Sequence, residues 1–417
     1  MLLTFFMDGV KYDMMKEHMP FLASLNTRPV ISEFGYSCAC HATMYTGKYI
    51  DEHGTWFIWQ RGEQSPYKWI NKVPMLKYMN ILPLKLFLGK VTNKLATKSG
   101  KITAYSGVPC LVNLPLKYWG EFELADTVMW NNKSWKKEYS TEFKSLFNIL
   151  RENNIKHEVV ALHNRTKADD VFLESQRIPE ERLRELDYIY YFIGYTDNMM
   201  HSHGEEKESA EYLRKVDNFI KSEYEKIKSI KSDKDDCVEV MAFSDHGHIT
   251  LDTSENALIN ISDYFKPQGK NVNNYIHLIE SNFARFWFRN EKERQEVTEV
   301  IQKLEDKGLG FIINQSIKDE YHLNLDEKVH GELIFYLDAP KEFTNTIWGF
   351  GHSVKSGHGY LPTHPKHFGI FCSTKEIKEE IEQVSLIDIL PTTLEYLHLK
   401  EEKQQLRLRG KELWRQR

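Results

Sequence analysis

Four separate segments of the chain carry Asp and His at spacings that suit divalent metal ions. In one of them Asp197 stands four residues before His201, so a carboxylate and an imidazole converge if the segment makes a turn. A lone Asp–His pair is more often a loop hydrogen bond, but together the segments offer three carboxylates and three imidazoles. That mixture is expected of zinc or manganese rather than calcium or magnesium. The six residues are Asp8, Asp197, His201, Asp245, His246 and His358.

A serine that could act as a nucleophile follows a strand-like stretch at residues 30–34. Ser37 stands where a helix-like stretch begins, and amide donors at a helix N-terminus favour an anionic oxygen or a phosphate. A bound metal would lower the pKa of its hydroxyl and make it nucleophilic. A lone serine at such a turn more often caps the helix, so the sequence leaves both roles open.

The elements that must position these residues alternate between strand and helix. Strand-like apolar runs at residues 2–7, 188–194 and 238–243 each deliver an aspartate just beyond their ends, and residues 368–372 indicate another buried strand. Helices are predicted at 205–230 and 385–397. This alternation predicts an α/β fold with a mostly parallel sheet covered by helices. Ligand sites in such sheets lie outside the carboxyl ends of the strands, where the aspartates stand.

The order of the motifs resembles the type I phosphodiesterase and nucleotide pyrophosphatase family of the alkaline phosphatase superfamily. In that family the nucleophile stands four residues before a histidine, which is His41 here, so the matching position is Ser37. Further matches are the Asp197–His201 pair with Gly204, the run from Ser244 to Gly247, and the histidine of Gly357-His358-Gly359.

The resemblance implies a three-layer α/β/α sandwich of alkaline phosphatase type with inserted cap regions. It also implies two divalent metal ions, zinc in the first place and manganese in the second. Asp8, Asp245 and His246 would hold one ion, which also contacts Ser37, while Asp197, His201 and His358 would hold the other. The expected activity is hydrolysis of a phosphodiester or phosphoanhydride through a phosphoseryl intermediate.

The chain departs from the family next to the nucleophile. The family usually has Thr where Ser37 stands, and its following aromatic residue, which helps to hold a nucleobase, is Cys38 here. Hydrolysis is unaffected by these changes, but nucleotide specificity stays open. The missing Cys-x-Pro-Ser-Arg signal after Cys38 argues against a sulfatase. A phosphomonoesterase or phosphomutase on the same metal core is the first alternative, and an inactive, metal-bound protein of lipid surfaces is the second.

The predicted core comprises residues 1–54, 151–255 and 347–417. Residues 55–150 form a lysine- and aromatic-rich insertion, and residues 256–346 a small α+β cap subdomain that reads as strand, helix, strand, strand. From Gln64 to Gly120 there are nine lysines and no acidic residue, interleaved with aromatic and leucine side chains. That mix suits a lipid-linked phosphoester substrate or peripheral contact with an anionic membrane, although a solvated cap has the same composition.

Composition excludes several other classes. The formal charge of −5 argues against a nucleic-acid binder, and no apolar run approaches the length of a membrane helix. The five cysteines have no regular spacing and are predicted to be reduced thiols. The chain starts inside its first strand without the features of a signal peptide, so a cytoplasmic location is expected. A small-molecule substrate is therefore predicted, and the sequence does not indicate an oligomeric state.

Overall fold

A computed structural model describes residues 1–73, 75–98, 111–125, 143–161, 167–232, 237–252, 254, 257–347 and 354–415. The side chains of 93 and 95–98 lie outside the description. The chain forms two compact units. Unit 1 contains the described residues of Met1–His53, Asn132–Thr250 and Val354–Arg417, and unit 2 contains those of Gly54–Asn131 and Leu251–Ser353.

The strands of the described residues, in chain order, are β1 Leu2–Met7, β2 Asn26–Ile31, β3 Trp59–Arg61, β4 Phe122–Leu124, β5 His157–Val160, β6 Tyr188–Ile193, β7 Glu239–Phe243, β8 Ile249–Thr250, β9 Leu258–Ile259, β10 Ile276–Ile279, β11 Phe283–Trp287, β12 Gly310–Ile312, β13 Leu333–Leu337, β14 Glu342–Phe343, β15 Ser356–Gly357, β16 Gly369–Ser373 and β17 Val384–Ser385. The α-helices are α1 Tyr12–His18, α2 Pro20–Ala23, α3 Ser37–Thr46, α4 Ile50–His53, α5 Leu82–Lys98, α6 Leu116–Trp119, α7 Leu146–Glu152, α8 Ala168–Gln176, α9 Glu180–Glu185, α10 Tyr195–His203, α11 Lys207–Lys231, α12 Ser262–Phe265, α13 Glu291–Asp306, α14 Gln315–Glu320, α15 Glu327–His330, α16 Ile389–Tyr396 and α17 Lys400–Gln405.

Unit 1 is built on a seven-stranded sheet in the order β17-β2-β16-β7-β1-β6-β5. β1 lies between β6 and β7 and is parallel to both, so three strands end side by side at one edge. Only β16 runs against its neighbours, β2 and β7, which makes the sheet mixed. The strands predicted at 2–7, 188–194, 238–243 and 368–372 are confirmed to within two residues, as is the long helix α11. The strand predicted at 30–34 lies earlier, at Asn26–Ile31.

Helices cover both faces of this sheet. On one face, Phe5 of β1 stacks on Tyr191 and meets Phe219 of α11 edge to face. On the other, Phe6 packs against His41 of α3. Because side chains alternate along a strand and both faces of β1 are apolar, each face needs a covering layer. The predicted three-layer sandwich is confirmed.

Unit 2 joins the two segments that interrupt the core pattern. Its four-stranded antiparallel sheet has the order β10-β11-β13-β12, and α13 lies against it with Val297, Val300, Ile301 and Leu304 buried. Three of these strands and the helix match predicted elements, while the edge strand β10 does not. A buried arginine ties the two segments together. Arg285 on β11 donates to Glu280 at 3.0 Å and, 226 positions back along the chain, to the Trp59 carbonyl at 2.8 Å.

The predictions of reduced cysteines and of no membrane-spanning helix were made for the whole chain, and the structure can be compared with them at the described residues only. Cys38, Cys40, Cys237 and Cys372 form no disulfide bond among the described residues, and Cys110 lies outside them. Among the described helices, none combines the length and the apolar character that crossing a bilayer requires. The cytoplasmic location stays a prediction.

Candidate metal centre

The ends of β1, β6 and β7 bring three aspartates to one edge of the sheet. Asp8 directly follows β1, Asp245 follows β7 by two residues, and Asp197 lies in the first turn of α10 after β6. Backbone contacts fix these turns. Gly9 has φ +70°, a conformation that favours glycine, and its N–H donates to Asp245 Oδ1 at 3.1 Å. The Thr196 hydroxyl donates to the Asp8 carbonyl at 2.5 Å.

Ser37 and His358 are brought to the same edge of the sheet by a helix start and by a short strand pairing. Helix α3 begins at Ser37, so the serine lies at the helix N-terminus as predicted, and it is buried. Strands β8 and β15 pair antiparallel, with Ile249 opposite Gly357, and this two-residue pairing brings the loop after β7 beside His358.

The first group contains Asp8, Asp245, His246 and Ser37. The Nε2 atom of His246 lies 2.9 Å from Ser37 Oγ, 3.3 Å from Asp245 Oδ2 and 3.7 Å from Asp8 Oδ1. His246 Nδ1 lies 3.1 Å from the Gly247 carbonyl, to which it can only donate. In the neutral form of the ring, Nε2 then presents a lone pair to the two carboxylates. Asp8 Oδ1 and Asp245 Oδ2 are buried and accept no hydrogen bond from the described residues.

The second group contains Asp197, His201 and His358. His201 Nε2 lies 3.3 Å from Asp197 Oδ1, and His358 Nε2 lies 3.6 Å from the same oxygen. His201 Nδ1 donates to the Ser356 carbonyl at 2.8 Å, so its Nε2 also presents a lone pair to a carboxylate. Buried carboxylates facing lone pairs are unfavourable unless a cation lies between them. The residues of both groups therefore fit divalent cations, and we call them the cation cluster.

The pKa shifts of the cation cluster also fit a site for divalent cations. Burial raises the pKa of Asp8 well above its usual value, and the negative charges of Asp245 and Asp197 add to the effect. Burial would also raise the pKa of Asp197, but the neighbouring His201, His248 and His358 hold it well below the usual value. Burial lowers the pKa of His358, with His246 adding to the shift. Deprotonated imidazoles beside carboxylates are the form in which these groups bind metals.

The structure brings all seven predicted site residues to one sheet edge, and it adds others. His41 is buried, and its Nε2 lies 3.4 Å from Asp245 Oδ2. His367 is buried and accepts the Gly359 N–H at 3.1 Å, which holds the loop of His358. His248, which was not among the predicted site residues, is buried, and its Nε2 lies 3.0 Å from Asp197 Oδ1. Its spacing of two from His246 was the only signal for it.

This sandwich, with a serine at a helix N-terminus and an Asp–His cluster at the strand ends, is a hydrolase fold of the alkaline phosphatase superfamily. The type I phosphodiesterase / nucleotide pyrophosphatase family profile matches residues 2–361. The chain belongs to that family, so it is a hydrolase of phosphoester or phosphoanhydride bonds, and the predicted family and enzyme class are confirmed.

Solved structures give the same fold at low identity. Human ectonucleotide pyrophosphatase/phosphodiesterase 5 superposes with a TM-score of 0.64 at 14% identity, covering 95% of this chain and 94% of that chain. The murine protein gives 0.61 at 12% identity, covering 95% of each chain. An inactive form of the murine protein in complex with AMP gives 0.62 at 12% identity, covering 95% of this chain and 94% of that one. A search of curated proteins finds no match.

Proposed function

We propose that the chain is a divalent-metal-dependent phosphodiesterase or nucleotide pyrophosphatase in which Ser37 forms a covalent phosphoseryl intermediate. The observation that carries the proposal is the pair of buried carboxylate oxygens beside Ser37, on Asp8 and Asp245, that accept no hydrogen bond from the part of the chain that the structure describes. The proposed holders are Asp8, Asp245, His246 and Ser37 for one cation and Asp197, His201 and His358 for the other. Zinc is the first choice and manganese the second, because the ligands mix imidazole with carboxylate.

Bound cations would lower the pKa of the serine hydroxyl and offset negative charge on the phosphoryl and leaving oxygens. The chain itself supplies position and nucleophile. Helix α3 begins at Ser37, which places Ser37 Oγ at the positive end of the helix dipole, where an anionic phosphoryl group would be favoured. The Ser37 oxygen bonds to phosphorus as the leaving oxygen departs with its electron pair, and the hydroxyl proton passes to solvent. Water then attacks phosphorus, which restores Ser37 and releases the phosphorylated product.

Cys38 is not a competing nucleophile in this proposal. Cys38 is almost completely buried. A thiol becomes nucleophilic as the thiolate, which such burial disfavours.

The substrate class is tested with a panel of nucleotide, sugar-nucleotide and glycerophospho-diesters, with zinc or manganese added to metal-free protein. The AMP complex of a structural relative makes nucleotide diesters the first to assay. We expect two divalent cations per chain by elemental analysis and faster hydrolysis of a chromogenic diester than of its monoester. Faster monoester hydrolysis would favour the phosphomonoesterase alternative, and protein that binds no divalent metal would contradict the proposal.

We also propose peripheral contact with an anionic lipid surface through residues 68–94 of unit 2, the lysine–apolar segment. The described residues expose ten large apolar side chains, and all of them except Leu173 lie in this segment. The nine are Trp69, Val73, Met75, Tyr78, Met79, Ile81, Leu82, Leu86 and Phe87. The segment contains no acidic residue. Exposed apolar groups among lysines match the chemistry of a negatively charged membrane surface.

Helix α5 organises part of this segment into one face. Leu82, Leu86 and Phe87 are exposed in its first turns, and Lys90 and Lys94 are exposed one to two turns further on the same face. Lys85, on the opposite face, is different: it is buried and its Nζ donates to the Val112 carbonyl at 3.0 Å. Lys85 therefore supports the fold of unit 2 and does not contribute to the exposed charge. The proposed ligand is a lipid-linked phosphoester or the membrane that carries it.

A further inference from the structure

A third imidazole shares the carboxylate oxygen of the second group. His248 Nε2 lies 3.0 Å from Asp197 Oδ1, closer than His201 Nε2 at 3.3 Å or His358 Nε2 at 3.6 Å. Ligands bound at 2.0–2.1 Å around a tetrahedral zinc ion are separated by about 3.4 Å. All three nitrogens therefore lie at the distance from one oxygen that ligands of a single ion would have.

The three rings are also arranged around a common point. Their centroids are 4.7 Å apart for His201 and His248, 5.1 Å for His201 and His358, and 5.2 Å for His248 and His358. Three imidazoles that each bind one zinc ion through Nε2 at tetrahedral angles have centroids about 5 Å apart. Simple stacking does not explain the arrangement, because the two pairs that include His248 are inclined at 83° and 66°.

Ser356 accepts a hydrogen bond from Nδ1 of each of two rings and so orients them in the same way. Its carbonyl accepts from His201 Nδ1 at 2.8 Å, and its hydroxyl lies 3.0 Å from His248 Nδ1. The hydroxyl proton is directed to the Met200 carbonyl at the shorter distance of 2.6 Å, so the hydroxyl accepts from His248 Nδ1. In the neutral ring, His248 Nε2 then carries no proton and presents its lone pair to the carboxylate of Asp197. Metal-binding histidines characteristically donate their other N–H to such an outer group.

The backbone keeps the point between these groups open. A Cβ atom at Gly9 would lie 2.7 Å from His248 Nε2 and 3.2 Å from Asp197 Oδ1, so the backbone of Gly9 borders this point and any side chain there would enter it. Pairing of β8 with β15 starts at Ile249, the residue after His248, and includes Ser356 itself. The short sheet thus sets His248 beside the residue that orients its ring.

We propose that His248 is a ligand of the second cation, in addition to Asp197, His201 and His358. The inference rests on the proposed function, since it concerns the same cation cluster. It changes the predicted ligand set from two imidazoles with one carboxylate to three imidazoles with one carboxylate. The alternative is a positioning role, in which His248 Nε2 carries a proton and donates it to Asp197 without touching the ion.

The first test is a crystal structure of the zinc-loaded wild-type protein with anomalous data at the zinc edge. We expect His248 Nε2 at a bonding distance of about 2.1 Å from one of two zinc ions. The inference would be overturned if Asp197, His201 and His358 bound a zinc ion while His248 Nε2 lay beyond bonding distance of it. It would also be overturned if His248 donated only to Asp197. This test needs no variant to fold.

The second test measures zinc affinity by competition with a chromophoric chelator, without any substrate. His248→Gln keeps an N–H donor for Asp197 but removes the imidazole, and it should weaken one of the two sites by more than about 100-fold. His203→Gln, two residues from His201, is the matched control and should bind both ions as the wild type does. Unchanged affinity in His248→Gln overturns the inference alone, whereas wild-type protein that binds no zinc overturns the proposed function as well.

Discussion

The cation cluster of unit 1 and the buried Arg285 of unit 2 differ in how their charge is compensated. In unit 1, Asp8, Asp197 and Asp245 converge at the strand ends, and two of their buried oxygens accept no hydrogen bond from the described residues. In unit 2, Arg285 is buried but fully engaged: it contacts Glu280 and two carbonyls, and its guanidinium lies 3.8 Å from the ring centre of Phe57. Buried charge that lacks a partner indicates a ligand, whereas buried charge with all its partners indicates architecture.

The same contrast explains what the sequence could predict. Asp8, Asp197 and Asp245 each follow an apolar strand within a few residues, and parallel strands end at a common edge, so local patterns sufficed to bring them together. The Arg285–Trp59 contact spans 226 positions and leaves no local pattern. The joining of residues from both insertions into one unit was therefore not predictable. His248 was not predicted as a ligand because its position depends on the two-residue pairing of β8 with β15, which is too short to predict.

The largest expected effect is the loss of turnover in Ser37→Ala. The variant removes the proposed nucleophile while leaving the carboxylates and imidazoles in place, so diester hydrolysis should fall roughly a thousandfold or more with metal content unchanged. Steady-state kinetics and elemental analysis on the same preparation measure the two quantities. Cys38→Ala is the matched control at the next position, and it should retain activity. The reverse pattern would show that the register of the nucleophile is wrong.

The next effect tests whether charge in unit 2 is architectural. Arg285→Met leaves Glu280 buried without its partner and should lower the free energy of unfolding by about 3–5 kcal/mol. Replacing both members, in Arg285→Met with Glu280→Leu, should recover much of that loss because no lone charge stays buried. Denaturant titration of the three proteins in the same buffer measures the differences. A double variant as unstable as the single one would mean that the contacts of Arg285 with the Trp59 and His330 carbonyls, rather than the ion pair, hold the segments together.

A buried carboxyl group of unit 1 outside the cation cluster should make stability depend on pH. Burial raises the pKa of Glu33, in the loop before α3, from 4.5 to about 8. Between these values the folded protein holds a proton that the unfolded chain lacks, so this group makes the free energy of unfolding fall as pH rises from 4.5 to 8. Glu33→Gln removes that contribution, and its stability relative to wild type should rise over the same interval. A difference between the two proteins that stays constant from pH 5 to 9 would contradict the assignment.

The smallest expected effect concerns the lysine–apolar segment. It tests exposed charge, whereas the preceding predictions concern buried groups. Lys90 and Lys94 are exposed beside Leu86 and Phe87, so Lys90→Glu with Lys94→Glu reverses charge without disturbing the core of unit 2. Binding to anionic vesicles should weaken, and each lysine near such a surface is worth about 1 kcal/mol at most. The apparent Michaelis constant should rise several-fold for a lipid-linked diester in vesicles and stay unchanged for a small chromogenic diester, because only the former is concentrated by the surface.

Two controls separate this surface from general effects of charge and hydrophobicity. Lys292→Glu with Lys303→Glu makes the same charge change on α13, an exposed and acid-rich helix of the same unit, and should leave vesicle binding unchanged. Leu86→Ser with Phe87→Ser should weaken vesicle binding at high salt too, where charge attraction is screened, whereas Leu173→Ser should not. If charge reversal on α5 and on α13 has equal effects, the attraction reflects net charge alone, and the lysine–apolar segment is a solvated cap.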